Sequence, residues 1–236
     1  MKRKRPISAV GMTFASQAKH ILKTQSLPVI RMPEMNSATI VSSKRGMANV
    51  KWSNPSSPQS CLENILQSKG RLHKVHSFDS LPGFFHDLKQ EEIDAYGFDV
   101  LRAVRESDID TLRKYHQEGR PLKCSNRFGE SLLHLACRKA LVPVVDFLVN
   151  EVEVPLCVKD DMGRTPLADA FWTIEPNPKL VDIILLKCPD LLLISDKRGH
   201  TPLAYVRQQH WEEWNKYLKS RSDLVLPKVL NQESNN

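Results

Sequence analysis

The stretch DMGRTPLADA, Asp161–Ala170, recurs in near copy as DKRGHTPLAY, Asp196–Tyr205. Gly-x-Thr-Pro-Leu-Ala is thus written twice, with its glycines 36 residues apart. Alignment on the glycine finds two further copies upstream, NRFGESLLHLAC (Asn126–Cys137) and DAYGFDVLRAV (Asp94–Val104). The glycines fall at 97, 129, 163 and 199, with spacings of 32, 34 and 36. Three residues before each stands Asp94, Asn126, Asp160 or Asp196, and four after each stands Leu101, Leu133, Leu167 or Leu203. Seven after each stands Val104, Ala136, Ala170 or Val206. Such a period implies units that bury their apolar faces on one another, so that no single unit folds alone.

Each anchor has a physical task. Asp or Asn bonds backbone in a turn, and Gly takes positive φ there. Thr165, Thr201 and Ser131 suit a helix N-cap, where the hydroxyl accepts an orphan N–H, and Pro166 and Pro202 suit the first helical position. The leucine then points inward, and the small residue one turn later lets the next unit approach. A second helical segment follows each first: DIDTLRKYHQEG, VPVVDFLVN, NPKLVDIILLK and HWEEWNKYLKS. Apolar residues recur there at helical spacing, as in Val181, Ile184 and Leu185, and Pro143 and Pro178 mark the starts of two of them.

A period near 33 carrying Thr-Pro-Leu-His-x-Ala resembles the ankyrin repeat. The resemblance covers residues 90–220 and is weakest in the first copy, which lacks Thr-Pro-Leu-His. Ala168 and Ala204 stand where the family favours His, and only His134 fills that place. The resemblance implies an all-α solenoid of stacked helix-turn-helix units with β-turn tips. Its domain spans 84–222, with repeats near 94–125, 126–159, 160–195 and 196–221. The first copy, helped by HDLKQEEIDAY, is expected to cap one end. The last helix, with Trp211, Trp214 and Leu218 on one face and polar residues elsewhere, is expected to cap the other.

The flanks read differently. Residues 1–62 hold ten Lys/Arg against the single acid Glu34, whereas residues 94–236 carry twenty bases and twenty-one acids. The net charge of +7 therefore belongs to the N-terminal tail, which removes the main support for a nucleic-acid-binding stack. Residues 1–80 are rich in Ser, Asn and Pro without sustained period, and they are expected to lack structure, as are 223–236. CLENILQ is expected to form no more than a transient helical turn. Lys2, Arg3, Lys4 and Arg5, followed by Pro6, resemble a nuclear import cluster. The chain is expected to be intracellular, nuclear or cytoplasmic; the basic, acid-poor start keeps a mitochondrial address as the lesser alternative. Ser8, Ser26 and Ser77 each follow a base by three residues, as sites of basophilic kinases do, and KTQSLP resembles ligands of phosphoserine-reading 14-3-3 adaptors. Five cysteines without Cys-x-x-Cys read as reduced thiols, and no run of apolar residues is long enough to span a membrane.

Candidate chemistry is sparse. His134 and Cys137 lie one turn apart, but no third residue orients them, and the repeat reading gives His134 a bracing role. His73 and His76 with Cys61 read as a chance metal set in a tail. Trp172, Trp211 and Trp214 are expected to be packing residues. No cofactor, metal or catalytic residue is expected. The function implied is a non-enzymatic scaffold or adaptor that binds another protein through the concave ankyrin face, without membrane and with nucleic acid at most weakly through the tail. The expected partner-binding residues are the tips Tyr96, Arg127, Phe128, Glu130, Asp161, Met162, Arg164, Lys197, Arg198 and His200. The alternatives are a nuclear regulatory factor whose tail contacts nucleic acid, and the substrate-docking subunit of an enzyme complex.

Overall fold

A computed structural model describes residues 56–71 and 74–222. Two helices begin the repeating part. α1 (Pro58–Ser68), strand β1 (His76–Ser77) and the short α2 (Gln90–Asp94) precede it. Then come α3 (Phe98–Glu106) with α4 (Ile109–Gln117), and α5 (Leu132–Arg138) with α6 (Val142–Asp146), which widens into a π-helical turn over Phe147–Glu151. α7 (Pro166–Phe171) pairs with α8 (Pro178–Leu185). A 3-10 turn over Pro189–Leu193 leads into β2 (Ile194–Ser195), a second over Pro202–Tyr205 replaces a first helix, and α9 (Trp211–Ser220) closes the described chain. The four second segments thus become α4, α6, α8 and α9, with Pro143 and Pro178 in the opening turns of α6 and α8.

Three turns are built alike. Asn126 Oδ1 accepts the N–H groups of Phe128 and Glu130, at 2.9 and 3.0 Å. Asp160 Oδ1 accepts those of Met162 and Arg164, at 2.9 and 2.8 Å. Asp196 Oδ1 accepts those of Arg198 and His200, at 2.8 and 2.9 Å. Gly129, Gly163 and Gly199 take φ of 78°, 79° and 79°, which an L-residue adopts only at a cost. Gly129 has a second reason to be glycine, since a Cβ there would lie 2.4 Å from the Lys159 carbonyl oxygen. The first copy departs: Gly97 has φ −90° and starts α3 as a plain N-cap.

The turns are linked to one another. Asp161 N–H donates to Phe128 O at 2.7 Å, and Lys197 N–H donates to Met162 O at 2.9 Å. Behind them α5 packs between α3 and α7, α7 also meets the Pro202–Tyr205 turn, and α6 meets α8. The leucines and small residues of the repeat fill the core: Leu133, Ala136, Leu167, Ala170 and Leu203 are all buried. Two caps differ from expectation. Thr165 makes no side-chain cap, and its buried Oγ1 has no partner; Thr201 Oγ1 instead donates to Gln59 of α1 at 2.6 Å. Ser131 does cap, accepting from His134 N–H at 3.4 Å.

The main correction concerns residues 56–93. Expected to be unstructured up to residue 80, the described part is a strap that runs back along the stack from its last unit to its first. α1 carries Cys61, Leu62 and Leu66 at helical spacing and packs them against α9, where Asn215 Nδ2 donates to Ser56 O at 2.7 Å. α9 is therefore covered by α1 and does not present a free capping face. β1 pairs in parallel with β2, His76 opposite Ile194 and Ser77 opposite Ser195. Further along, His86 N–H donates to Cys157 O at 2.8 Å, and Ser125 N–H donates to Glu92 O at 3.3 Å.

Leu167 and Leu62 are both fully buried, one in the stack and one in the strap. Leu167→Ala is expected to cost about 2–5 kcal/mol, and Leu62→Ala a loss of the same order, in urea unfolding. An unchanged midpoint for Leu62→Ala would show that α1 does not dock.

Candidate functional site

The tip residues divide into those held inside the molecule and those offered to solvent. Tyr96 is half-buried against the core, and burial pushes its phenol up to about 12. Glu130 accepts from Asn126 Nδ2 at 3.1 Å and from Arg138. Arg164 is half-buried, and its Nε donates to Asp160 Oδ2 at 2.7 Å. Glu130 and Arg164 thus brace the turns. Met162 is half-buried as well, while Asp161, Lys197, Arg198 and His200 are exposed. Phe128 is 50% exposed, with the Arg127 guanidinium 4.7 Å over its ring. An apolar face backed by a cation is the composition of binding hot spots.

A second aromatic cluster joins the end of α7 to the fourth turn. Trp172, expected to be a packing residue, is 43% exposed at the end of α7. Its ring meets Tyr205 edge-on at 6.1 Å, Tyr205 meets His200 at 6.1 Å, and the Arg207 guanidinium lies 5.8 Å over Trp172. Ile174 beside it is exposed. Helical geometry carries the signal that reveals Trp172: Leu167, Ala170 and Phe171 face the core, and the next residue turns about 100° away. Trp214 is buried and Trp211 half-buried, as packing residues are.

The strap occupies the flank of the third turn. Phe78 N–H donates to Ser195 O at 3.0 Å, and its ring lies so close to Gly163 that a Cβ there would sit 2.7 Å away. The Lys159 ammonium lies 4.9 Å from the Phe78 ring centre and 5.6 Å from that of Phe85. Ser77 is half-buried in β1. Ser8, Ser26 and Lys2–Arg5 lie outside the described residues, as do residues 223–236.

His134 is a brace. Its Nδ1 accepts from Ser131 N–H at 3.1 Å, and Nε2–H donates to Arg164 O at 3.1 Å, which ties α5 to the third turn in the neutral tautomer. Burial pushes its pKa below the ordinary value, against the pull of Asp169 and the Arg164 carbonyl. Cys137 is equally buried, and burial raises its thiol well above the usual range. A substrate reaches neither. Arg138 donates to both oxygens of Asp169 at 3.2 Å and so clips α5 to α7. His73 lies outside the described residues, Cys61 is buried under α9, and no group of three metal-ligating side chains occurs among the described residues. No described helix is long and apolar enough to cross a membrane.

No family model matches this chain. A putative ankyrin repeat protein of Escherichia coli, YahD, is 31% identical over 108 residues, covering 45% of this chain and 54% of that protein. Putative glutaminase 2 of Caenorhabditis elegans is 34% identical over 71 residues, 30% of this chain and 12% of its own length. The SMC5-SMC6 complex localization factor protein 1 of Bos taurus is 31% identical over 109 residues, 46% of this chain and 10% of its own length. The chain thus spans between a tenth and about half of these relatives. The YahD likeness points to ankyrin repeats.

Two outcomes follow from this geometry. Phe78→Ala should unlatch the strap, so limited proteolysis should cut within 70–88 while the part from 94 onward resists. An unchanged cleavage pattern would show that Phe78 does not hold it. The second concerns pH. Below the unfolded-state pKa near 6.5 the unfolded chain takes up a proton that buried His134 resists, so stability falls as pH drops. Asp169, raised by burial, opposes this only in the acid range above its ordinary 3.8. His134→Gln should lower the urea midpoint near pH 7.5 and flatten its decline down to about pH 5.5. An equally steep decline would assign that slope to other groups.

Proposed function

We propose that the chain is a non-enzymatic protein-binding module, an ankyrin-type array of four units whose partner binds at the turn tips of the second to fourth. The observation that carries this reading is the solvent-facing pair of Phe128 and Arg127 on a turn whose backbone is fully tied down. Large apolar groups held out on rigid elements bind with little ordering cost. The Trp172–Tyr205–His200 cluster and Arg207 add a second aromatic anchor with its own cation. Tyr96, which packs against the core, and Glu130 and Arg164, which brace the turns, play no direct part. The working binding set is therefore Arg127, Phe128, Asp161, Met162, Lys197, Arg198 and His200, joined by Trp172. The module needs the strap to fold, so its domain is proposed to run from residue 56 to 222 rather than from 84. The basic tail sets location in this reading, through Lys2–Arg5, and carries the candidate phosphorylation sites Ser8 and Ser26, while the third, Ser77, lies in β1 of the strap.

The test uses the full chain as bait in affinity purification. Changing Phe128, Met162 and Arg198 together to Ala should abolish specific capture, with a melting midpoint close to that of the parent. Trp172→Ala should weaken capture on its own. If the triple variant captures as the parent does, the tips are not the site. If it unfolds, the tips are structural.

A further inference from the structure

Five cysteines are present, and they fall into two groups. Cys61, Cys124 and Cys137 are buried, whereas Cys157 and Cys188 are only half-buried and lie with their sulfurs 3.5 Å apart. Cys157 stands in the loop that leads from the π-helical turn to the third Asp-Gly turn. Cys188 precedes the 3-10 turn Pro189–Leu193, between α8 and β2. Neither sits inside a helix or strand, so each backbone can give as the sulfurs approach. We propose that Cys157 and Cys188 are a peroxide-oxidisable pair that closes into a reversible disulfide between the second and third units.

A hydrogen bond that either sulfur can donate joins the two thiols. With Cys188 as the donor, this bond holds the Cys157 thiol below its ordinary range and raises that of Cys188; burial and Asp190 work against ionisation of both. Cys157 is therefore the attacking thiolate and Cys188 the resolving thiol, the arrangement that makes cysteines peroxide-sensitive. In the first step Cys157 attacks one peroxide oxygen. An S–O bond forms, the O–O bond breaks, and the departing oxygen leaves as water, giving a sulfenic acid. In the second step the Cys188 sulfur attacks the Cys157 sulfur. The S–S bond forms, the S–O bond breaks, and a second water leaves with the Cys188 proton. Two thiols are oxidised and one peroxide is reduced to two waters. The sulfurs must close from 3.5 Å to about 2.05 Å. The other three thiols lack both conditions. Burial raises Cys61, pushes Cys124 up to about 12 and raises Cys137 well above its usual range. The Cys157 carbonyl is also the acceptor for His86 of the strap, so the bond forms where the strap is tied to the stack.

The test treats the reduced full chain with hydrogen peroxide, then alkylates under denaturing conditions and maps peptides by mass spectrometry. The expected result is a Cys157–Cys188 crosslinked peptide, two hydrogens lighter than its reduced parts, with Cys61, Cys124 and Cys137 alkylated. A dithiol reductant should reverse it. Cys188→Ser should leave a sulfenic acid on Cys157 that dimedone traps, and Cys157→Ser should abolish both products. Oxidation of a buried cysteine as readily as of this pair would overturn the proposal. So would the absence of both the crosslink in the parent and the dimedone adduct in Cys188→Ser. These readouts require no partner protein, so they stand apart from the test of the binding surface.

Discussion

One side-chain oxygen, used three times, sets the pitch of this structure. Asn126, Asp160 and Asp196 each fold the following four residues over a single Oδ1, and the glycine at the third place of each turn permits the closure. The same residues accept the glycine N–H through their carbonyls, so each turn is closed by side chain and main chain together. Once closed, a turn presents a main-chain carbonyl to its successor: Phe128 to Asp161, and Met162 to Lys197. The distance between units is therefore set by backbone hydrogen bonds at the tips. The helices behind must fit that distance, which is why Ala136 and Ala170 are small and why Leu133 and Leu167 interdigitate without exposure. His134 repeats the logic at depth, since the carbonyl it grips belongs to the third turn itself.

A linear array always leaves two open ends, and here the chain covers one with its own earlier residues. α9 buries Trp214 and Leu218 inward, but its next face, with Asn215, would be left to water without α1. The polar contacts are side chain to backbone at Asn215 and side chain to side chain between Gln59 and Thr201, 142 residues apart in sequence. Contacts at that separation bring a large loop-closure cost, and Leu62, Leu66 and the Phe78 ring supply the apolar burial that offsets it. The strap is thereby both an end cap and a lateral tie, touching the fourth unit at Thr201, the third at Ser195 and Gly163 and the second at Cys157.

What could be read from sequence was what is local. The Asx-Gly turns, the leucine and alanine phase and the four second segments each rest on residues within one unit, and the described residues carry them; the bracing role of His134, which reaches Arg164 of the next unit, came from the resemblance. The strap was illegible because its evidence is non-local. Pro58–Ser68 is an ordinary short amphipathic segment until α9 gives its face a partner, and a two-residue strand has no period to detect. Thr165 shows the converse failure. The Thr-Pro pair reads as a cap, yet the hydroxyl is buried without a partner, while Thr201 in the same pattern turns to Gln59. Among the tips, sequence placed Phe128 and Arg198 outside correctly, but it had no means of knowing that Glu130 and Arg164 would be drawn into ion pairs with Arg138 and Asp160.

Those ion pairs bear on recognition. The first carboxylate oxygen of Asp160 closes the turn and the second holds Arg164; in Asp196 the second oxygen accepts the Tyr205 hydroxyl. The templating residue is thus itself fixed by a side chain one or two helical turns on, at the base of the tip. A loop anchored at both its backbone and its hinge loses little further freedom when a partner lands on it. The residues left outside this bracing, Phe128 under Arg127 and Trp172 between Tyr205 and Arg207, are large and already confined by their neighbours. Bracing and exposure are two consequences of one arrangement: polar groups at each tip hold the turn, and the aromatic faces of Phe128 and Trp172 are left to solvent.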